Sequence, residues 1–326
     1  MKKKFDKEDL FHLYHSSDLT KEELKDILKR EVYSDKKDWN KFIEMLFLIL
    51  GAGLLLTGIL FFFAYNWTGL PKFLKFGIIG ICLTIAIGFS VYHKISNLYK
   101  RIALLCSSVL VGVLYAVFGQ EYQTGANAYD FFLAWLLTIS VWSITSKFPF
   151  QWLFYGILAN ITLMLCFSQI YDLESVFTYF TGLLLLNILL VGTPNLLVYT
   201  RRNIFVPNWY TKSYLTVISS LATLTIGIVV FSNDFLRYNE SKANMYLSLG
   251  ISILWIGGVL WRSLIGKTFY AYCNAVVSCY FIVLILLMRV FEFTIFSTFL
   301  YAIYLIGGTF GLVNYLITTF KKWHHE

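Results

Sequence analysis

Long apolar runs separated by short polar stretches fill the chain from residue 42 to residue 319. A helix needs about 20 apolar residues to cross the roughly 30 Å hydrocarbon core of a bilayer. Ten runs come close to this length or exceed it: 42–65, 73–93, 101–119, 129–146, 150–170, 175–193, 213–231, 245–262, 268–288 and 293–319. The pattern predicts an all-α fold, a polytopic transmembrane helix bundle of about ten spans.

Two parts of this pattern are less regular than the rest. The fourth and fifth runs are separated only by the residues around Lys147 and Pro149, which predicts a tight turn. The last run is longer than a bilayer requires and contains Gly307 and Gly308. We therefore expect the last span to be strongly tilted, or kinked at these glycines.

The first 40 residues predict a short cytoplasmic amphipathic helical segment. Thr20 and Glu23 have the spacing of a capping box, which satisfies free N–H groups where a helix begins. Apolar residues then recur at helical spacing, at positions 24, 27, 28 and 32. Two interpretations stay open: a helical hairpin packed on itself at the membrane surface, or a module in which residues 5–35 bind a cytoplasmic protein.

The runs and the polar stretches divide the chain into three parts. Residues 1–40 form the amino-terminal segment, and residues 41–193 hold spans one to six with a polar turn at 119–130. Residues 194–326 hold spans seven to ten and a short cytoplasmic tail.

Composition supports a bilayer as the main partner of this chain. Charged residues make up 14% of the sequence and hydrophobic residues 58%, whereas a soluble protein has about 25% charged residues. The mean hydropathy is +0.65. The net charge of +8 lies in short loops between apolar runs, where basic residues orient spans, and no basic face with interleaved aromatic residues is present. We therefore expect no binding of nucleic acid.

The distribution of basic residues predicts the orientation of the spans. Cytoplasmic loops attract Lys and Arg. With the amino end inside, the inner loops after residue 41 carry eleven basic residues: Lys94, Lys100, Arg101, Lys147, Arg201, Arg202, Lys212, Arg262, Lys267, Lys321 and Lys322. The outer loops carry five: Lys72, Lys75, Arg237, Lys242 and Arg289. Both termini are therefore expected on the cytoplasmic side.

Small residues and asparagines within the runs predict contacts between helices. Gly80 and Gly88 lie on one face of the second span, and Gly307 and Gly311 repeat a four-residue spacing in the last. Such residues let helix backbones approach closely in a membrane. Four asparagines, Asn160, Asn187, Asn274 and Asn314, also fall inside spans. We expect them to form hydrogen bonds between helices, although each is also suited to line a solute path.

The turn between the third and fourth spans concentrates polar groups. Its candidate ligand-binding residues are Gln120, Glu121, Tyr122, Gln123, Asn127, Tyr129 and Asp130. Gly119 and Gly125 permit backbone conformations that other residues resist. Ionisable groups next to hydrocarbon usually face a protein interior or a wet cavity. A site where Glu121 and Asp130 approach each other would suit a proton or cation, but an ordinary solvated turn has the same composition.

Two motifs resemble a bacterial family of predicted membrane proteins, the domain of unknown function 2157. The first, Phe63-Ala64-Tyr65-Asn66-Trp67, ends the first span, and the second runs from Gly119-Gln120 to Tyr129. The resemblance extends over residues 5–170. It implies a multi-pass protein of the bacterial inner membrane, supplies no activity, and suggests that the 119–130 turn has a role beyond solvation.

Function therefore stays a choice among hypotheses. The leading one is a carrier or channel-like protein for a small solute, ion or lipid, with an outward-facing acidic site in the 119–130 turn. The alternative is a non-transporting scaffold, sensor or assembly factor that binds a partner through its amino-terminal helices. An intramembrane enzyme with Glu121 or Asp130 as acid or base is disfavoured, because no obvious nucleophile is present.

No cofactor or metal is expected. The sequence has no phosphate-binding loop, dinucleotide fingerprint, zinc-protease helix or nucleophile elbow. The five cysteines lie in apolar runs without a CxxC pair, and the five histidines lack the spacing of metal ligands.

Overall fold

A computed structural model describes residues 36–66, 69–122, 125, 127–170, 176–200, 206–235, 242–291 and 294–325, together with Thr20 and Glu22. The regular elements within these ranges are α1 (Lys36–Asn66), α2 (Lys72–Val91), α3 (Asn97–Tyr122), α4 (Ala128–Thr145), α5 (Pro149–Ile170), α6 (Val176–Thr200), α7 (Asn208–Phe235), α8 (Lys242–Ile265), α9 (Phe269–Val290), α10 (Ile295–Ile303), a π-helical turn (Tyr304–Gly308) and α11 (Thr309–His325).

The helices coincide with the predicted spans. Nine helical segments in the described part of the chain are long and apolar enough to cross a membrane, and Ala128–Ile144 forms a shorter apolar helix. The last of the nine, Ile295–Trp323, comprises α10, the π-helical turn and α11. Nine segments and the shorter helix correspond to the ten apolar runs. The prediction of a polytopic helical bundle is confirmed.

The chain divides into two compact units. One comprises Met1–Gly69 with His324–Glu326, and the other comprises Leu70–Trp323. The first unit contains α1, and the second contains α2 to α10 and nearly all of α11. Most of the amino-terminal segment, including the proposed partner contact at residues 5–35, lies outside the described residues. The division into three parts drawn from the sequence stays a prediction.

The core of the second unit is a series of helix–helix contacts made by apolar side chains. Leu184, Ile218 and Ile256 bring α6, α7 and α8 together. A second cluster joins α5, α6 and α7 around Trp152, and a third joins α3, α4 and α5 around Ile139. Since lipid tails are as apolar as these side chains, close packing rather than exclusion from water stabilises such contacts.

The glycines that permit close packing are different from those that the spacing predicted. A methyl group added at Gly80, Gly88, Gly307 or Gly311 would meet no atom of the structure within 4 Å. The prediction of close contacts at these four glycines is therefore wrong within the described structure. A methyl group at other glycines would overlap an aromatic side chain: Gly112 faces Trp135, Gly156 faces Tyr214 and Gly308 faces Tyr280.

Two irregular helix segments are stabilised by tyrosines from neighbouring helices. Pro194 lies inside α6 and has no N–H to donate to the carbonyl of Leu190. The hydroxyl of Tyr210 donates to that carbonyl instead, at 3.0 Å. At the π-helical turn, the hydroxyl of Tyr280 donates to the carbonyl of Tyr304 at 3.0 Å, and the two rings stack 4.8 Å apart. This turn ends at Gly308, at the glycines where the sequence suggested a kink.

Candidate functional site

The polar turn between α3 and α4 has the backbone that its glycine and asparagine favour. Helix α3 ends at Tyr122 and α4 begins at Ala128. Gly125 has a φ of +63°, a left-handed conformation that glycine adopts without steric cost. Gly119, by contrast, lies within α3 and faces open space. Gln123 and two neighbours, at positions 124 and 126, lie outside the described residues.

Glu121, at the end of α3, forms an ion pair with Lys75 from the first turn of α2. The ammonium of Lys75 donates a hydrogen bond to Oε1 of Glu121. Lys75 is only 4% exposed, and Glu121 is partly buried. Because an unpaired buried charge is costly, each group stabilises the other in this position. The pair also links two helices at a point 46 residues apart in sequence.

Asp130 has a different partner and a structural role. The backbone N–H of Asn127 donates to Oδ2 of Asp130 at 3.1 Å, which caps the start of α4. Another hydrogen bond at the start of α4 joins this helix to α5: the backbone N–H of Tyr129 donates to Oε1 of Gln169 at 3.0 Å. The hydrogen bonds thus give Glu121 and Asp130 separate partners, and a direct pairing of the two carboxylates stays a prediction.

Aromatic rings and a second lysine surround the ion pair. Tyr122 is exposed and contacts the ring of Phe118, with centroids 4.8 Å apart, and that of Phe76 at 6.1 Å. The ammonium of Lys72 lies 5.9 Å from the centroid of the Tyr122 ring and 5.5 Å from that of Phe73. Lys72 is exposed, whereas Lys75, one helical turn further on, is buried. We call Lys75, Glu121 and Tyr122 the turn site, and Lys72 lies beside it.

The remaining predicted residues lie around the turn site without a shown role in it. Gln120 and Asn127 are exposed, and Tyr129 is half-buried. Tyr115, one to two turns below Glu121 on α3, forms a hydrogen bond with Thr138 at 2.9 Å and packs edge-to-face on Phe131. Tyr115 therefore joins α3 to α4 below the turn.

A second polar cluster lies at the other end of α4 and was missed by the sequence analysis. The side chain of Gln151 is fully buried, and its Nε2 donates to the hydroxyls of Ser108 at 2.7 Å and Ser143 at 2.9 Å. The indole N–H of Trp142 also donates to the hydroxyl of Ser108. Oε1 of Gln151 accepts no hydrogen bond from a described residue. We call Gln151, Ser108 and Ser143 the amide–serine network.

The sequence predicted that asparagines within the spans form hydrogen bonds between helices, and one pair does so. Asn160 on α5 and Asn187 on α6 exchange two hydrogen bonds, at 2.8 and 3.2 Å between their amide groups. The amide of Asn274 instead donates within its own helix, to the carbonyl of Tyr270. Of the four asparagines that the sequence singled out, Asn160 and Asn187 thus join two helices through their side chains.

No group of three or more His, Cys, Asp or Glu residues that could hold a metal ion is found among the residues that the structure describes. The five cysteines are free thiols. The chemistry that the turn site offers is that of one carboxylate, one ammonium group and a phenol.

Comparison with known proteins gives one match. The profile of a family described as "Predicted membrane protein (DUF2157)" matches residues 15–152, which include α1 to α4 and the turn site. No curated protein and no solved structure matches the chain. The resemblance seen in the two motifs is thus confirmed. Residues 15–152, a little under half of the chain, thus match a family of predicted membrane proteins of unknown function.

Proposed function

We propose that the protein is a carrier for a small cation or cation-coupled solute in the bacterial inner membrane, with both termini in the cytoplasm. In that orientation the α3–α4 turn faces outward. The proposed ligand-binding residues are those of the turn: Gln120, Glu121, Tyr122, Gln123, Asn127, Tyr129 and Asp130. The observation that carries the proposal is the ion pair between Glu121 and the buried Lys75.

An ion pair in this position favours exchange over a purely structural role. Ionisable groups within transmembrane helices are rare, and most mark a path for ions, protons or substrates. Replacing a buried ion pair with apolar residues often leaves stability unchanged, so stability alone does not explain its presence. The partly buried Glu121 is the member of the pair that an entering cation can reach.

The proposed mechanism is competition for the Glu121 carboxylate. In the structure Lys75 supplies the positive charge next to Glu121 and holds α2 against α3. A proton or metal cation that binds Glu121 replaces this charge and releases the lysine. A ligand shifts a conformational equilibrium by its difference in affinity for the two states. Binding to Glu121 is thereby coupled to separation of α2 from α3 at this end.

A thermal unfolding experiment tests the proposal with defined probes. The purified full-length protein in detergent is titrated with sodium, potassium and protons, with choline chloride at equal ionic strength as the control for screening. Because a ligand that binds only the folded state raises the unfolding midpoint, we expect one probe to raise it. The same probe should leave the midpoint of Glu121→Gln unchanged.

Flux measurements then separate carriage from mere binding. Proteoliposomes containing a pH-sensitive dye are given an inward gradient of the active cation, and the protein should accelerate the dye response. Glu121→Gln should abolish this acceleration, and Lys72→Gln, a neighbour outside the ion pair, should retain it. If no cation shifts the midpoint and no flux is seen, the carrier proposal fails. Partner capture with and without residues 1–35 would then test the scaffold alternative.

A further inference from the structure

A cavity of about 410 Å³ lies between helices α4, α5, α6 and α7, far along α4 from the turn site. Its wall includes Ile144 at the end of α4, Trp152 and Tyr155 near the start of α5, and Leu189 and Leu190 on α6. The volume falls within the range of small-molecule sites in proteins, about 300–1,000 Å³. The cavity shares no lining residue with the turn site.

The cavity opens sideways, toward the surface that a bilayer covers. At its edge, Ile144, Leu189 and Leu196 are 60%, 62% and 64% exposed. Leu189 and Leu196 belong to α6, which is long and apolar enough to span a membrane, and Ile144 ends the shorter apolar helix α4. The medium next to this opening is therefore hydrocarbon rather than water.

The polar groups in the wall are mostly engaged with the protein. The hydroxyl of Tyr155 pairs with Ser140 at 3.0 Å, and the indole N–H of Trp152 donates to the carbonyl of Ser143 at 2.9 Å. The hydroxyl of Tyr210 donates to Leu190. A polar solute would find few free partners here, and apolar cavities hold water poorly. An acyl chain matches both the wall and the medium at the opening.

Lys147 supplies a charge at the same end of the helices. It lies in the turn that joins α4 to α5, four residues after Ser143 in the cavity wall. It has a φ of +51°, a conformation that costs a residue other than glycine about 1–2 kcal/mol. No ion pair with a described residue involves Lys147. The side chain is therefore available to an anionic group at the membrane surface.

We propose that this cavity binds one acyl chain of an anionic phospholipid, with the phosphate next to Lys147. The lipid comes from the leaflet at the α4–α5 turn, and its chain lies against α6. This site is independent of the proposed carrier activity, because it uses none of the turn-site residues.

Photolabelling of the full-length protein in vesicles tests this site. Phosphatidylcholine vesicles are doped with phosphatidylglycerol that carries a diazirine in its acyl chain, and labelled peptides are mapped by mass spectrometry. We expect labels on the lining stretches of α5 and α6. Thr193→Trp fills the cavity and should remove these labels, whereas Leu185→Trp, an exposed position of α6 outside the lining, should retain them.

The head group is tested with Lys147→Asn. Asparagine suits the left-handed backbone conformation, so the variant should fold, but it removes the charge. Loss of one lysine next to an anionic head group should lower the preference for phosphatidylglycerol over a phosphatidylcholine probe about fivefold. Equal labelling by the two probes in the wild type, or unchanged labelling in Thr193→Trp, would overturn the proposal.

Discussion

The two turns that flank helix α4 carry polar groups of opposite kinds. The α3–α4 turn has a charged pair, Lys75 and Glu121, of which one member is partly exposed. The α4–α5 turn lies next to a neutral network in which Gln151 is completely buried. Glu121 and Ser108, which belong to the two sites, are about 20 Å apart along α3.

This difference indicates which of the two sites is suited to exchange a bound cation with the surrounding solution. In the proposed function the carboxylate of Glu121 exchanges one cation for another, because Glu121 is partly exposed and its partner Lys75 is a separate, buried charge. The amide of Gln151 is neutral and donates to Ser108 on α3 and Ser143 on α4, so it fixes three helices in place. The amide–serine network therefore packs helices together, and the proposed ligand exchange falls to the turn site.

The largest expected effect comes from placing a charge in the neutral network. Gln151→Glu adds a carboxylate without a lysine partner, and a buried unpaired charge costs about 3–5 kcal/mol. We expect a large fall in the unfolding midpoint in detergent. Gln151→Leu is the matched control: it loses two hydrogen bonds of about 0.6 kcal/mol each in a membrane, and it also removes the unpartnered Oε1. A midpoint for Gln151→Glu close to that of Gln151→Leu would contradict the burial described here.

The next largest loss of stability is expected from a packing change beside the amide–serine network. Trp135 faces Gly112 and donates its indole N–H to the carbonyl of Ser108 at 2.7 Å. Gly112→Ala would push this rigid ring away, which should lower the free energy of unfolding by about 3 kcal/mol. Gly119→Ala, on the same helix, faces open space and should be neutral or stabilise α3 by up to about 1 kcal/mol. Thermal unfolding of both variants checks the contrast, and equal effects would refute it.

A smaller loss is expected when one member of the ion pair is removed. Lys75→Gln or Glu121→Gln should each lower the free energy of unfolding by about 2 kcal/mol. This loss is smaller than that for a fully buried pair, because Glu121 is partly exposed and a lysine can extend toward water. The double variant should be more stable than the sum of the two single changes predicts. Additive effects in this double-mutant cycle would show that the two groups do not interact.

The smallest effect should come from Lys72→Gln. Among the described residues its ammonium contacts the rings of Phe73 and Tyr122, and a cation–π contact at an exposed site contributes about 0.5–1 kcal/mol. The unfolding midpoint should fall slightly, and cation binding at Glu121 should be retained. A loss as large as that of Lys75→Gln would mean that the two lysines share one role.

The fold was predictable from the sequence because the length of an apolar run is itself a physical requirement of the bilayer. The short apolar helix α4 was also found, since Lys147 and Pro149 interrupt the apolar pattern. The glycine contacts were not predictable in the same way. Gly112 and Gly156 each meet one aromatic ring from another helix, and no spacing within their own helix indicates that ring.

The sequence pattern singled out one member of the ion pair and not the other. The concentration of polar residues pointed to Glu121, but Lys75 was counted as an orienting charge in an outer loop. Its role depends on a partner 46 residues away. One signal was present, because Lys75 precedes the buried Ile79 by four residues and thus shares its helix face. Gln151 was missed because a single amide at the start of a span has no pattern of its own.

The most direct test of the central claim is the cation dependence of thermal unfolding in three proteins side by side: wild type, Glu121→Gln and Gln151→Leu. We expect the active cation, measured against choline at equal ionic strength, to raise the unfolding midpoint of the wild type and of Gln151→Leu but not that of Glu121→Gln. An equal rise in all three, or no rise in the wild type, would contradict the assignment of exchange to the turn site.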